Sequence, residues 1–232
     1  MKKQLVSKIK CPKSNRSGCC GGQIGIDENL ISVRYANESE ITEAILSCRS
    51  CGAAYPVICG VAIVLDNIQS WLRSNYYHIL SGAHVSGGIG EELTTWLQGF
   101  GWQLTNQPSS NYYEAPRWVN IFTATHYDTV PAGADDATDI GQLLAGQPSV
   151  FDVIVEMLGQ YLPAKVEKAL DVGTNVGGMA YRVAQFAGTV LGLDTAFNCI
   201  LTARRVQTGF PKPLVSYNRY IDGHQHDLRE MG

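Results

Sequence analysis

The chain has 232 residues, 45% of them apolar and 17% charged, which suits one ordinary domain plus a small module and excludes a disordered chain. A formal net charge of −3 supplies no global positive field that would draw the chain to nucleic acid or to an acidic membrane. No apolar run approaches the roughly 20 residues needed to cross a bilayer. The opening MKKQLVSKIKCP carries no apolar segment behind its lysines, so no secretory signal is expected and the cytoplasm is the expected compartment.

Six of the seven cysteines fall between positions 11 and 59. In a reducing compartment such clustering points to metal before disulfides. Cys48-Arg49-Ser50-Cys51-Gly52 has the C-x-x-C spacing that offers two corners of a zinc tetrahedron, with glycine accepting the turn that follows. The other corners are expected from CPKSNRSGCCGG. Cys11-Pro12 opens it like a knuckle, Ser14 stands where a second cysteine would come, and Cys19 and Cys20 follow. The six residues between Lys13 and Cys20 read as an insertion that widens this knuckle. Cys20-Gly21-Gly22 makes the better knuckle end, so the expected ligands are Cys11, Cys20, Cys48 and Cys51. Short alternating apolar runs between the pairs, and AAYPVICGVAIVL after them, read as ribbon strands. Cys59 and Cys199 read as small core residues.

Residues 8–66, ending in LSCRSCGAAYPVICGVAIVL, resemble the Trm112-like zinc-ribbon family, small modules fused to or paired with methyltransferases. The resemblance implies a structural zinc, since four thiolates leave no open coordination position.

Residues 67–104 read as helical pieces broken at SGAHVSGGIG, with Leu93, Trp96, Leu97 and Phe100 spaced to share one helix face. TNQPSSNYYEAPR reads as a loop or linker. The adjacent His126, Tyr127 and Asp128 are too close in sequence to converge as a catalytic triad. A packed loop histidine and tyrosine is the plainer reading, with Tyr127 over a cofactor as the alternative. Asp135, Asp136 and Asp139 read as a solvated helix start. Ser149 is placed to cap a helix with apolar positions Val150, Val153, Ile154, Met157 and Leu158, interrupted at Gly159 and limited by Pro163.

ALDVGTNVGGMAYRVAQFAGTVLGLD then reads as strand, glycine turn, helix, strand, followed by a second helix in TAFNCILTARRVQTG. That is the βαβ unit of doubly wound sheets, whose ligand crevice lies beyond the carboxyl ends of the strands. Asp171 and Asp194 sit at those two ends, and Gly173, Gly177 and Gly178 let backbone and ligand approach. Asp194 is placed to accept hydrogen bonds from ribose hydroxyls. A dinucleotide fingerprint is disfavoured by Asp171, because its carboxylate would repel a pyrophosphate. S-adenosylmethionine carries a sulfonium and an ammonium and no phosphate, so charge chemistry favours it.

LDVGTNVGG with VLGLD downstream resembles motifs I and II of class I S-adenosylmethionine-dependent methyltransferases over roughly residues 120–208. The resemblance implies cofactor contacts at Asp171, Gly173, Asn175, Gly177 and Asp194, with Asn175 replacing the family's middle glycine. The expected fold class is therefore α/β: a zinc-ribbon-like module over residues 1–66, a helical connecting region over 67–148, and a Rossmann-like methyltransferase core over 149–232.

That core is expected to be incomplete. A class I sheet has seven strands, and GFPKPLVSYNRYIDGHQHDLREMG leaves room for about one more. Two strands alone leave apolar sheet uncovered, so cover from the middle region, a second copy or a partner chain is expected. His224 and His226 in this tail read as ordinary tail residues rather than a metal site. No catalytic residue and no methyl acceptor can be assigned from the sequence, and nucleic acid is not indicated. The alternative to a methyltransferase is a non-catalytic zinc-ribbon scaffold with a degenerate domain, and a nicotinamide-dependent oxidoreductase comes third.

Overall fold

The structure, a computed structural model, describes residues 1–15, 18–99, 115–128, 148–162, 165–209, 214, 216–222 and 225–230. The chain divides into two units, Met1–Tyr112 with Arg204–Pro213, and Tyr113–Ala203 with Leu214–Gly232. Asp135, Asp136, Asp139, Phe100 and His224 lie outside the described residues. Among the described residues no helix is long and apolar enough to cross a membrane.

The first unit is built on an antiparallel sheet. After a 3-10 turn at Lys3–Lys8 and a two-strand hairpin, β1 (Ser14–Asn15) with β2 (Gly18–Cys19), come β3 (Ile24–Ile26), β4 (Arg34–Asn37), β5 (Glu40–Cys48), β6 (Ala54–Ile58) and β7 (Val61–Ala62). The order is β3-β5-β6-β7, with β4 also pairing β5. As the central strand, β5 is covered on both faces, so Ile41, Ala44, Ile45 and Leu46 are all fully buried and its burial does not alternate. Tyr55, Val57 and Ile58 of β6 complete this core.

Helices α1 (Ile68–Ser74), α2 (Tyr76–Val85) and α3 (Glu91–Gly99) follow. Ile68, Leu72, Ile79, Ala83, Leu93 and Leu97 are among their buried positions, while Trp96 is only half-buried. The break expected across SGAHVSGGIG is shorter than its composition suggests: Ser81–Val85 stay helical, and the turn begins at Ser86 with Gly87 and Gly88 at positive φ. Two acids are buried in this unit with partners. Glu43 accepts the Gly90 N–H at 3.0 Å and pairs with Arg34 at 3.3 Å. Glu40 pairs with Arg204 at 2.8 Å. Burial raises the Glu40 pKa, and the Arg204 guanidinium reverses this and holds the carboxyl below its ordinary value.

The second unit contains α4 (Pro116–Tyr127), α5 (Val150–Tyr161), β8 (Val166–Val172), α6 (Gly178–Val183), β9 (Ala187–Leu193) and α7 (Phe197–Thr208), whose last turn from Arg204 belongs to the first unit. Strands β8 and β9 are parallel, with Leu170 opposite Leu191 and Val172 opposite Leu193. This is the expected strand-helix-strand unit. The tail holds two strands rather than one, β10 (Ser216–Asp222) and β11 (Gln225–Glu230), and they form a separate antiparallel hairpin instead of extending the parallel pair. His226 lies on β11, opposite Tyr220.

Three further features differ from the sequence reading. Residues 105–114 of the segment read as a linker lie outside the described residues, and its end is helical instead, because Pro116 opens α4 at its first position, where a missing N–H costs nothing. Gly159 does not interrupt α5. It lies within the helix, where an added Cβ would come within 3.2 Å of the Phe186 ring. The apolar stripe of α5 is exposed: Val150, Val153, Ile154 and Met157 all face outward, and Val155 is the buried residue.

Ser149 does cap α5, accepting the Asp152 N–H at 3.1 Å. Ser149→Ala should destabilise the second unit by about 1 kcal/mol in a urea titration, and an unchanged midpoint would show that this end of the helix is held by other contacts.

Candidate functional site

Among the described residues two arrangements are candidate sites, one in each unit. In the first, the knuckles form from backbone hydrogen bonds. The Cys11 N–H donates to Gly22 O at 3.0 Å, the Gly21 N–H to Cys11 O at 3.1 Å and the Cys20 N–H to Lys13 O at 2.7 Å. Within the insertion β1 pairs with β2, Ser14 opposite Cys19, and Cys20 lies at the base of the knuckle beside Cys11. On the other side the Gly52 N–H donates to Cys48 O at 2.9 Å and closes the C-x-x-C turn. Gly22 permits the approach of the two turns, since an added Cβ would lie 2.7 Å from Cys48 Sγ.

The structure brings Cys11, Cys20, Cys48 and Cys51 together, with all four sulfurs within 4.8 Å of one another. Cys11 and Cys51 are 3.6 Å apart and Cys20 and Cys48 are 3.7 Å apart, far beyond a disulfide bond of about 2.05 Å. Four sulfurs at about 2.3 Å from a tetrahedral ion stand about 3.8 Å apart, so this cluster can hold a metal ion such as zinc. Burial raises the Cys48 thiol, but the Ser50 and Cys51 N–H groups outweigh it and bring the thiol down to about 6. The fully buried Tyr55 sets its hydroxyl 3.1 Å from Cys11 Sγ, behind the cluster. Cys59 and Cys199 are buried outside it.

The second arrangement is the loop between β8 and α6. Gly173, Asn175 and Gly177 all have positive φ, at 76°, 52° and 87°. Asparagine tolerates this region better than most residues, which is how Asn175 occupies the middle position. At Gly177 a side chain is also excluded by space, because a Cβ would lie 2.8 Å from the Tyr181 ring. The Gly173 and Thr174 N–H groups both donate to Leu193 O, at 2.8 and 2.9 Å, tying the loop to the end of β9.

Asp171 and Asp194 stand at the carboxyl ends of the two strands. Asp171 accepts the Thr174 hydroxyl at 2.7 Å. Asp194 accepts the Asn175 N–H and the Ala196 N–H, both at 2.8 Å, one on each oxygen. Asn175 Oδ1 is a buried acceptor with no donor among the described residues. The polar side-chain atoms facing this loop are thus dominated by acceptors.

Beneath the loop lie the histidine and tyrosine that the sequence reading expected to be packed, on the last turn of α4 rather than in a loop. Tyr127, at the end of α4, donates its hydroxyl to Val176 O at 2.7 Å and packs against Val176, Ala196 and Cys199. His126 stacks on Phe151 with ring centroids 4.3 Å apart and lies against Gly178, where a Cβ would come within 2.5 Å of Nδ1. Arg182 donates to His126 O at 3.1 Å and pairs with Asp152 at 2.7 Å.

Burial, reinforced by the Arg182 guanidinium and opposed by Asp171, lowers His126 to about 4. An unfolded histidine titrates near 6.5, so between these values the unfolded chain binds more protons and stability rises with pH. The second unit should therefore keep the full contribution of neutral His126 above about pH 6.5. It should lose on the order of 3 kcal/mol as the pH falls toward 4. Urea titrations across this window should show His126→Gln with a flatter acid limb than the unsubstituted chain; parallel limbs would contradict the assignment.

Compared with protein-family models, with curated proteins and with solved structures, the chain finds no match.

Proposed function

We propose that the chain is an S-adenosylmethionine-dependent methyltransferase, holding its cofactor beyond the carboxyl ends of β8 and β9 and a structural zinc in the cysteine cluster. One observation carries the reading: two carboxylates, Asp171 and Asp194, flank a tight left-handed loop at the ends of adjacent parallel strands, accompanied by the orphan acceptor Asn175 Oδ1. Such an acceptor-rich edge suits a ligand that brings donors and positive charge. It is unfavourable for a pyrophosphate, whose charge would meet two carboxylates with no cationic side chain on the loop.

S-adenosylmethionine brings an ammonium, ribose hydroxyls and an electrophilic methyl on a sulfonium. Asp194 would receive the ribose hydroxyls on the lone pairs its backbone partners leave free. The bare α-carbons of Gly173 and Gly177 would allow close approach of the methionine portion. Orientation of the methyl toward an acceptor is the contribution expected of such a site, and no general base is assigned. The exposed apolar stripe of α5 favours a second reading, a non-catalytic scaffold that docks a partner there.

Calorimetric titration of the whole chain should give binding of S-adenosylhomocysteine and none of NAD. Asp194→Asn should weaken it roughly ten- to a hundredfold, the worth of a charge-assisted hydrogen bond. Binding of NAD alone would overturn the reading in favour of an oxidoreductase, and binding of neither at millimolar ligand would favour the scaffold.

Protein purified without chelator should contain about one zinc ion per chain. Stripping the metal should lower the thermal midpoint of the first unit. Metal-free protein with an unchanged midpoint would contradict a structural zinc.

A further inference from the structure

We infer that Tyr127 is a positioning residue, fixing the β8–α6 loop in its ligand-ready shape through the Val176 carbonyl. This rests on the cofactor reading of that loop. The loop turns through Asn175 at φ 52° and Gly177 at φ 87°, with Val176 between them. Among the described residues, two side-chain ties come from the strand ends and act on neighbouring groups: Asp171 holds the Thr174 hydroxyl, and Asp194 holds the Asn175 N–H. Neither reaches the Val176–Gly177 peptide. A third tie does, because the Tyr127 hydroxyl donates to Val176 O at 2.7 Å from a helix 49 residues earlier.

Two observations give this bond leverage. Val176 is fully buried, and Tyr127 packs on the same small cluster, Val176, Ala196 and Cys199, so the donor cannot swing away without opening that cluster. The turn of α4 that presents Tyr127 is itself anchored to α6. Arg182 donates to His126 O, and the His126 ring lies on Gly178. The last turn of α4 therefore grips both the loop and the start of the helix that follows it. Without the hydroxyl, the buried Val176 carbonyl has no donor from α4, and the Val176–Gly177 peptide is held on its N–H side alone, where Gly177 donates to Thr174 O at 2.9 Å.

The test compares the whole chain with Tyr127→Phe, which keeps the ring and its packing, and with Tyr181→Phe as a control. Tyr181 is a neighbour, its ring centroid 6.5 Å from that of Tyr127, but its hydroxyl donates to Ala203 O on α7. Amide hydrogen exchange over residues 173–177 is read without ligand, and S-adenosylhomocysteine affinity is then measured well below every thermal midpoint. Tyr127→Phe should speed exchange in the loop and weaken binding roughly three- to tenfold, while Tyr181→Phe leaves loop exchange as it was. Unchanged loop exchange in Tyr127→Phe overturns the inference, as does faster exchange with undiminished affinity. Faster exchange confined to Tyr127→Phe, with no binding by any of the three proteins, upholds the brace on the loop and removes the cofactor reading instead.

Discussion

The second unit turns on one carboxylate. Asp194 follows the last residue of β9, yet one of its oxygens accepts the N–H of Asn175 in the loop after β8, and the other accepts the N–H of Ala196 just before α7. A single side chain thereby joins two strand ends, a left-handed loop and a helix start. Charge-assisted hydrogen bonds of this kind are shorter and stronger than neutral ones, and here they replace the water that would otherwise solvate the loop's N–H groups. That anchorage ties the Asn175 N–H to the end of β9, while the Val176 carbonyl beyond it is held by the Tyr127 hydroxyl. The same side chain that would face a ligand also builds the surface the ligand would meet.

The first unit solves a different problem. Its apolar core lies along β5 and β6, while its knuckles are glycine-rich turns with little to bury. Convergence of four sulfurs is what these turns have in place of a core of their own. An ion there would replace four costly, closely spaced thiols by a single closed set of bonds, coupling metal binding to folding. The β1–β2 hairpin shows how a knuckle tolerates six extra residues: the insertion pairs with itself and returns Cys20 to the base.

The features readable from sequence were local ones. Cysteine spacing and the Cys-Gly-Gly end brought Cys20 to the right group because knuckle geometry is set within a few residues. The strand, turn, helix and strand around Asp171 and Asp194 were legible because glycine and acid positions mark the βα turn itself. Helix α4 was hidden because its buried face carries Thr123 and His126 as well as partly covered Val119 and Phe122, so apolar periodicity alone does not reveal it. Only Pro116 signalled its start. The α5 stripe had the right period, but periodicity says which residues share a face and nothing about what covers it. The Tyr127–Val176 bond joins residues 49 positions apart, which no local pattern encodes.

The central claim is that the loop between β8 and α6, clasped by Asp171 and Asp194, receives S-adenosylmethionine. Its most direct test is an amide chemical-shift map of the whole chain, recorded while S-adenosylhomocysteine is added. The account predicts that the largest shifts fall on the Gly173, Asn175, Gly177 and Ala196 amides, saturating together with one affinity. Shifts absent from these four amides at millimolar ligand, or produced there by NAD and not by S-adenosylhomocysteine, would contradict it.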